Sequence, residues 1–354
     1  MCTPADGSQA AGPGTAIVAA NGCPALAHMP PNEILYLSFD DVAAAGPDMA
    51  ETIALVEAAL RDKGAGLTQL PPQVSLHPMA DTSFLYAMPA WVPSRRAAGV
   101  KWVSGYPCNP GRGLRYISGL IILNDPETGL PLAIVDCAWI TAQRAGAVSA
   151  IAARRLAPPE AREAALLGAG VQGRSQIRAL AAALPTLREV RVFDMRQDAV
   201  QELVADLRPE LPWLRLAEAA FPEEAVRGAD IVVSAGPIVH PPRPRIKRDW
   251  LKRGCLGLPI DFDSMWTMEA MHLDRFLVDD MQQYHVFREQ GFFQTSPPPD
   301  GDLGDLLNGR CPGRTKPGER ILSMNLGIAV LDIPLAKLVC ERAVDRGLGL
   351  RLPR

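Results

Sequence analysis

No metal-ligand spacing runs through this chain, which has no Cys-x-x-Cys, His-x-x-x-His or His-Glu-x-x-His. Its five histidines (His28, His77, His240, His272, His285) are scattered, and its seven cysteines (Cys2, Cys23, Cys108, Cys137, Cys255, Cys311, Cys340) are odd in number and far apart. That pattern speaks against a zinc frame and a disulfide framework, so no metal is expected, and it fits reduced thiols in a cytoplasmic protein. Lysine and arginine are absent before Arg61, so the positively charged start of a secretory signal is missing. Apolar runs fall short of the about 18 residues that span a bilayer. A net charge of −3 provides no basic field for nucleic acid or an anionic membrane. The expected partner is a small molecule.

What is present is globular: 48% hydrophobic and 21% charged residues over 354 positions, enough for two domains. Residues 1–31, rich in Ala, Gly and Pro, read as a disordered tail. From Ile34 the segments ILYL, FLYAMPAW, GVKWVSGY, LRYISGLIILND and LPLAIVD read as strands of a mixed sheet. Residues 49–64 carry apolar residues at helical spacing, and NDPETGLP marks a hairpin turn. An Ala-rich helix is expected from Trp139 to Leu156, with Arg154 and Arg155 at its solvated end.

The rhythm then becomes strict strand–helix alternation. Strands are expected at 164–168, 190–194, LRLA, 229–236, 255–261 and 274–280, with helices at Gln172–Leu184 and Asp198–Leu207. Six strands with crossovers suggest a Rossmann-type, doubly wound parallel sheet. Residues 281–320 read as irregular, and 323–347 as one helix returning to the first domain. The fold expected is thus α/β: a Rossmann domain at 156–320 inserted into a mixed α+β substrate and dimerisation domain, 32–155 plus 321–354.

Gly168-Ala169-Gly170-Val171-Gln172-Gly173 directly follows one strand and opens a helix, and the next strand ends in Asp194. Such a loop lets backbone approach a pyrophosphate, and the acid can hold ribose hydroxyls. Asp194 repels a 2′-phosphate, so NAD(H) is favoured, while Arg196 leaves NADP(H) possible. Asp261 ends the fifth strand, where ligands of open α/β sheets sit, and can manage a proton on a substrate nitrogen. Asp263, two residues on, competes for that role. Lys101 interrupts an apolar strand, suiting it to a substrate carboxylate. Arg144 faces small neighbours that would let it approach a phosphate. No nucleophile–base pair stands out, so covalent catalysis is not expected.

With these residues the chain resembles the ornithine cyclodeaminase/mu-crystallin family, through GVKWVSGYPCNPGRGL, LIILNDPETGLPLAIVD, ITAQRAGAVSAIAARRLA, LLGAGVQGR, VRVFD and LGIAVLD. The resemblance covers about residues 34–350 in the family's order. It implies a homodimeric NAD(P)-dependent oxidoreductase transferring hydride at the C–N bond of an amino acid, imino acid or N-substituted amino acid. It also implies that Lys101 holds the substrate carboxylate, that Arg144 contacts the dinucleotide phosphates, and that Asp261 is the catalytic aspartate. Gly168, Gly170, Val171, Gln172, Asp194, Ser234 and Asn325 fall to the cofactor, Asn325 standing where a Ser is common. Gln73 stands where many members carry a carboxylate-binding Arg, and Tyr116 where a Thr is common. FDSMW follows Asp261 in place of the PGKxE of cyclodeaminases, which argues against ornithine cyclisation. Two alternatives belong to the same resemblance. One is oxidative cleavage of an N-(2-amino-2-carboxyethyl)glutamate-like substrate to 2,3-diaminopropionate; the other is a non-catalytic, dinucleotide-dependent binding protein of crystallin type.

Overall fold

The computed structural model describes residues 26, 30–79 and 83–354, so the expected tail lies almost wholly outside the described residues. Strands β1 (Glu33–Leu37), β2 (Val74–Leu76), β3 (Phe84–Val92), β4 (Ala97–Gly105), β5 (Ile117–Asn124) and β6 (Pro131–Asp136) belong to one sheet. The segments NDPETGLP and 93–96 turn β5 into β6 and β3 into β4 as antiparallel pairs. Alternation sets the register: β3 buries Tyr86, Met88, Ala90 and Val92 on one face. Helices α1 (Phe39–Ala45), α2 (Met49–Gly64) and α3 (Ala138–Leu156) follow from this part of the chain. Asp48 caps α2 by accepting from Glu51 N at 2.9 Å. Its buried face carries Ile53, Val56 and Leu60, and α2 packs against α3.

The second sheet holds β7 (Glu163–Leu167), β8 (Glu189–Phe193), β9 (Arg215–Glu218), β10 (Ile231–Ser234), β11 (Leu256–Pro259), β12 (Arg275–Val278), β13 (Gly301–Asp302) and β14 (Ile321–Met324). Its order is β13-β12-β14-β11-β10-β7-β8-β9, and every pair is parallel. Between these strands lie α4 (Val171–Ala183), α5 (Gln197–Leu207), α6 (Pro222–Val226), α7 (Met268–Met271), α8 (Met281–Glu289) and α9 (Leu303–Leu307). β10, β11 and β14 are buried along their whole length, hence their largely apolar runs, with Ser234 and Ser323 as the polar exceptions. This is the Rossmann-type α/β fold. The strand order reverses at β7, which opens a crevice beyond the carboxyl ends of β7 and β10.

Three expectations need correction. Residues 281–320 are not all irregular: Asp280 caps α8 by accepting from Gln283 N at 2.6 Å, and α8 buries Tyr284 and Phe287. The polar residues around those two aromatics hid the helical period. Residues 323–347 are not one helix, because the chain first completes β14, turns at Gly327 (φ +90°), and only then forms α10 (Ala329–Asp345). β14 lies between β11 and β12, so the second sheet has eight strands rather than six, and the return to the first sheet begins after 324 rather than at 321. α10 then packs across β3 and β4, and β15 (Leu350–Pro353) pairs with β1 at the edge of the first sheet. Among the described residues, no helix is long and apolar enough to cross a membrane.

Candidate active site

The loop after β7 is shaped by what it must pass. Gly168 has φ +113°, and a Cβ there would lie 2.5 Å from the Ala235 carbonyl oxygen. Only glycine takes both constraints. Gly170 caps α4 with open space where a Cβ would point, and Val171 in the first turn is 71% exposed. Helix geometry leaves the first N–H groups of α4 without intrahelical acceptors, directed at that space. Asp194, just past β8, accepts from Ala169 N at 2.7 Å and from Arg196 N at 2.9 Å. It therefore braces the loop, and each carboxylate oxygen keeps a further lone pair for a hydroxyl. An open helix N-terminus, a close backbone passage and an acid at the next strand tip fit the pyrophosphate and ribose of a dinucleotide.

Asp261 lies two residues beyond β11 and is fully buried. Its Oδ1 accepts a short hydrogen bond from Ser234 Oγ, while Trp266 Nε1 donates to that same Oγ at 2.8 Å. Because the indole fills an acceptor position on the serine, the hydroxyl proton is committed to Asp261. Asp261 Oδ2 has no hydrogen-bond partner. A Cβ on Gly236 would lie 3.4 Å from that oxygen, and Gly236 itself backs onto Gly168. The free oxygen thus lies beside the glycine-rich loop. Burial pushes the Asp261 carboxyl up to about 7, against the Ser234 hydrogen bond and the nearby Asp261 and Gly236 backbone N–H groups, which favour its anion. Asp263 faces another way: its carboxyl lies near the Phe293 backbone N–H and toward His240. Tyr116 reaches the same region, its hydroxyl lying near the Ile238 backbone N–H. Burial, with a smaller contribution from Asp261, pushes the phenol up to about 12.

A second cluster lies between the first sheet and α10. Lys101, on β4, is 1% exposed, and its Nζ is 2.8 Å from Asp332 Oδ1. Arg144, on α3, brings Nε to the same oxygen at 3.1 Å, while Asp332 Oδ2 has no hydrogen-bond partner. Two cations share one carboxylate oxygen. Burial holds the Lys101 ammonium below its ordinary pKa, Asp332 opposing and Arg144 adding to that shift. The Arg144 guanidinium lies over Gly327, where a Cβ would be 2.8 Å from both terminal nitrogens. Asp279 holds this turn by accepting from Leu326 N at 2.9 Å and Gly327 N at 2.8 Å. Asn325 donates to Ser149 Oγ at 3.0 Å and leaves its own Oδ1 unpartnered.

Gln73 N donates to Gln283 Oε1 at 3.2 Å, and both side-chain Nε2 atoms are buried without partners. They line a cavity of about 10 Å³ with Met88, Gly327 and Ile328, and Met88 stands directly opposite Lys101 in the β3–β4 pairing. The structure therefore gathers Lys101 with Arg144, Gln73 beside them, and Asp194 with the glycine loop. Ser234 serves as the hydrogen-bond partner of Asp261. Gln172 keeps a buried, unpartnered Oε1 in the first turn of α4. No direct contact joins Asp261 to Lys101 among the described residues.

Sequence reasoning did not single out Asp332, Gln283, Trp266 or Asp279. Asp332 stood in view in LGIAVLD, but only the packing of α10 on β4 sets it against Lys101. Gln283 fell within a stretch read as irregular.

The comparisons agree with this architecture. The chain is 34% identical over 319 residues to the nodulation efficiency protein NfeD of Rhizobium meliloti, covering 89% of this chain and 97% of that protein. Among solved structures it is similar to a Δ1-pyrroline-2-carboxylate reductase of Thermococcus litoralis in complex with NADH and L-proline. That match has a TM-score of 0.81 at 26% identity and covers 90% of this chain and 99% of the other. An archaeal alanine dehydrogenase dimer with bound NAD gives a TM-score of 0.79 at 30% identity over 90% and 99% of the two chains. The profile of the ornithine cyclodeaminase/mu-crystallin family matches residues 39–347, and the chain belongs to that family.

Proposed function

We propose that this protein is a nicotinamide-dependent oxidoreductase acting at the C–N bond of a small amino or imino acid, with NAD(H) as the favoured cofactor. The observation that carries the reading is Asp261. It is a buried carboxyl near neutrality, with one oxygen fixed by Ser234 and the other unpartnered beside the dinucleotide loop. Gly168, Gly170, Val171, Gln172 and Asp194 hold the dinucleotide, and Arg144 from α3 and Asn325 from just past β14 approach it. A bound nicotinamide supplies or accepts the hydride. In the oxidative direction the substrate carbon gives up a hydride, its nitrogen gives a proton to Asp261, and a C=N bond forms. Reduction runs the reverse, with Asp261 as the acid.

A group that must both give and take a proton works best with a pKa near the working pH. The shared Asp332 leaves positive charge to spare, at Lys101 for the substrate carboxylate and at Arg144 for the dinucleotide phosphates, and the free amides of Gln73 and Gln283 add neutral donors for the substrate. The names of the two solved relatives, with proline and alanine chemistry, support small amino acids as the class.

The test is NAD reduction with L-proline and L-alanine, and NADH consumption with Δ1-pyrroline-2-carboxylate and with pyruvate plus ammonia. Asp261→Asn keeps size but cannot accept a proton, so kcat falls by about 10²–10⁴-fold while NADH affinity is retained. Full turnover in that variant sinks the assignment. Tight NADH binding without turnover of any of these compounds by the unaltered protein favours the crystallin-type binder.

Assembly as a homodimer is part of the same proposal. The outer face of the first sheet exposes Val74, Trp102, Leu120 and Leu350, and the strand pairing places Val74, Trp102 and Leu120 in one row. An apolar row of this extent on an open sheet is a surface that association would cover. Sedimentation at the 38.1 kDa monomer mass at micromolar concentration overturns this.

A further inference from the structure

The residue after Asp261 sits in a conformation that bulky side chains rarely adopt. Phe262 has φ +61°, and so, with φ +57°, does Phe293 in the loop after α8. Both are buried, and their rings meet at 5.2 Å and 69°. Phe262 also contacts Phe287 at 4.9 Å and Phe292 at 5.7 Å, both edge-on. Phe293 is held in turn by stacking on Tyr284 at 5.4 Å, whose hydroxyl bonds Ser296 Oγ at 2.7 Å. The Phe293 N–H meets Asp263. The turn at 261–263 and the loop after α8 are thus fastened by these rings, with the Asp263 carboxyl lying near the Phe293 backbone N–H. A left-handed residue between two aspartates directs the first to Ser234 and the second to Phe293. FDSMW, where this chain departs from the relatives' motif, supplies that wedge.

We propose that Phe262 is a positioning residue: lodged among Phe287, Phe292 and Phe293, it holds Asp261 against Ser234 and keeps water from entering behind its free oxygen. The groups around Asp261 are few. Ser234 of β10 and Trp266 are neutral, Tyr116 comes from the segment before β5, and Asp263 is the nearest charge on its own turn, itself facing His240. None is a cation, so solvent exclusion governs the proton affinity of Asp261, and a ring that excludes solvent controls it.

The proposal rests on the reading of Asp261 as the proton-handling group, but its test needs no substrate. Infrared difference spectra of the full chain across pH follow the protonated-carboxyl band that Asp261→Asn removes. Phe262→Gly retains access to the left-handed backbone and deletes the ring. The Asp261 midpoint then drops by about one pH unit or more, a tenfold or greater loss of proton affinity. Phe292→Ala, at the half-buried edge of the cage, moves it in the same direction by less and keeps the test open should Phe262→Gly not fold.

A folded Phe262→Gly or Phe292→Ala protein that melts lower but titrates unchanged makes these rings mere packing and overturns the proposal. So does an unaltered protein with no band assignable to Asp261. Absence of amino- or imino-acid turnover, with the midpoint shift present, would instead fault the functional reading and leave the positioning role intact.

Discussion

Two lysines on the first sheet's side of the molecule, Lys63 largely buried and Lys101 fully so, show how differently one residue type can be used. Lys63, at the end of α2, reaches Asp280 at 2.8 Å, Asp302 at 2.6 Å and the Asp279 carbonyl at 3.0 Å. Burial works against its charge, but the two carboxylates outweigh it and raise its pKa. Lys101 has a single carboxylate oxygen, shared with Arg144, and there burial wins and the pKa falls. The first cluster has more negative than positive charge and three acceptors for one ammonium. It is a latch joining α2 to the carboxyl ends of β12 and β13. The second has two cations on one carboxylate and so positive charge to spare, which is what the proposed site for an anion requires. Partners, rather than burial, separate a structural ion cluster from a binding one.

The comparison is broken most directly at the latch. Lys63→Met leaves Asp280 and Asp302 without their cation, and removing one side of a buried pair costs about 3–5 kcal/mol. Denaturant unfolding reads this as a lower midpoint. The sign with pH follows from the raised pKa. The latch contribution is complete below the ordinary lysine value of 10.5 and is lost as pH rises through the higher folded value. A Lys63→Met protein as stable as its parent at neutral pH refutes the latch.

Lys101→Met has the smaller stability effect, because Arg144 stays beside Asp332 and the remaining pair is balanced. Its effect falls on substrate. Loss of a charge-assisted contact raises KM by about 10–100-fold, with the dinucleotide affinity little changed. Here the pH sign is opposite. A lysine with a lowered folded pKa makes the unfolded chain bind more protons, so its stability penalty fades as pH rises toward 10.5. The parent gains stability over that alkaline range relative to Lys101→Met. Equal KM values in the two proteins would show that Lys101 is only a partner for Asp332.

The sequence made much of this legible, and unevenly. Local patterns with a fixed period, such as α2 and the β3–β4–β5–β6 meander, were readable because each needs only its own residues. The glycine loop and Asp194 were readable for the same reason, as one strand–turn–helix–strand unit. Lys101 stood out as a charge in an apolar strand, yet its partner did not. Asp332 lies 231 positions away and meets it only through the packing of α10 across β4. β14 escaped notice because a short, mostly apolar run ahead of a helix looks like that helix's first turn, and only its place between β11 and β12 makes it a strand. Contacts between distant segments were the part no periodicity encodes.

Asp194 marks the exposed end of the same comparison and carries the smallest expected effect. Its carboxylate is only partly buried and already spends one oxygen on Ala169 N and the other on Arg196 N. Arg196, two residues on, is 66% exposed and leans toward Asp198 at 3.7 Å rather than toward the loop, while Arg174 is bound to the Ala169 carbonyl at 2.6 Å and Arg245 reaches Met195 Sδ at 3.6 Å. A 2′-phosphate placed at this strand tip meets the Asp194 charge first, and solvent screens that repulsion to about 1 kcal/mol at contact range in high dielectric. The expected outcome is tighter binding of NADH than of NADPH. Asp194→Ser keeps an oxygen for the loop and the ribose but removes the charge, narrowing the gap by about tenfold or less, and more at low salt than at high. Fluorescence titration of both reduced cofactors at two ionic strengths measures it. Tighter NADPH binding by the unaltered protein would reverse the assignment and turn attention to Arg196, whose exposed guanidinium would then have left Asp198 for the phosphate.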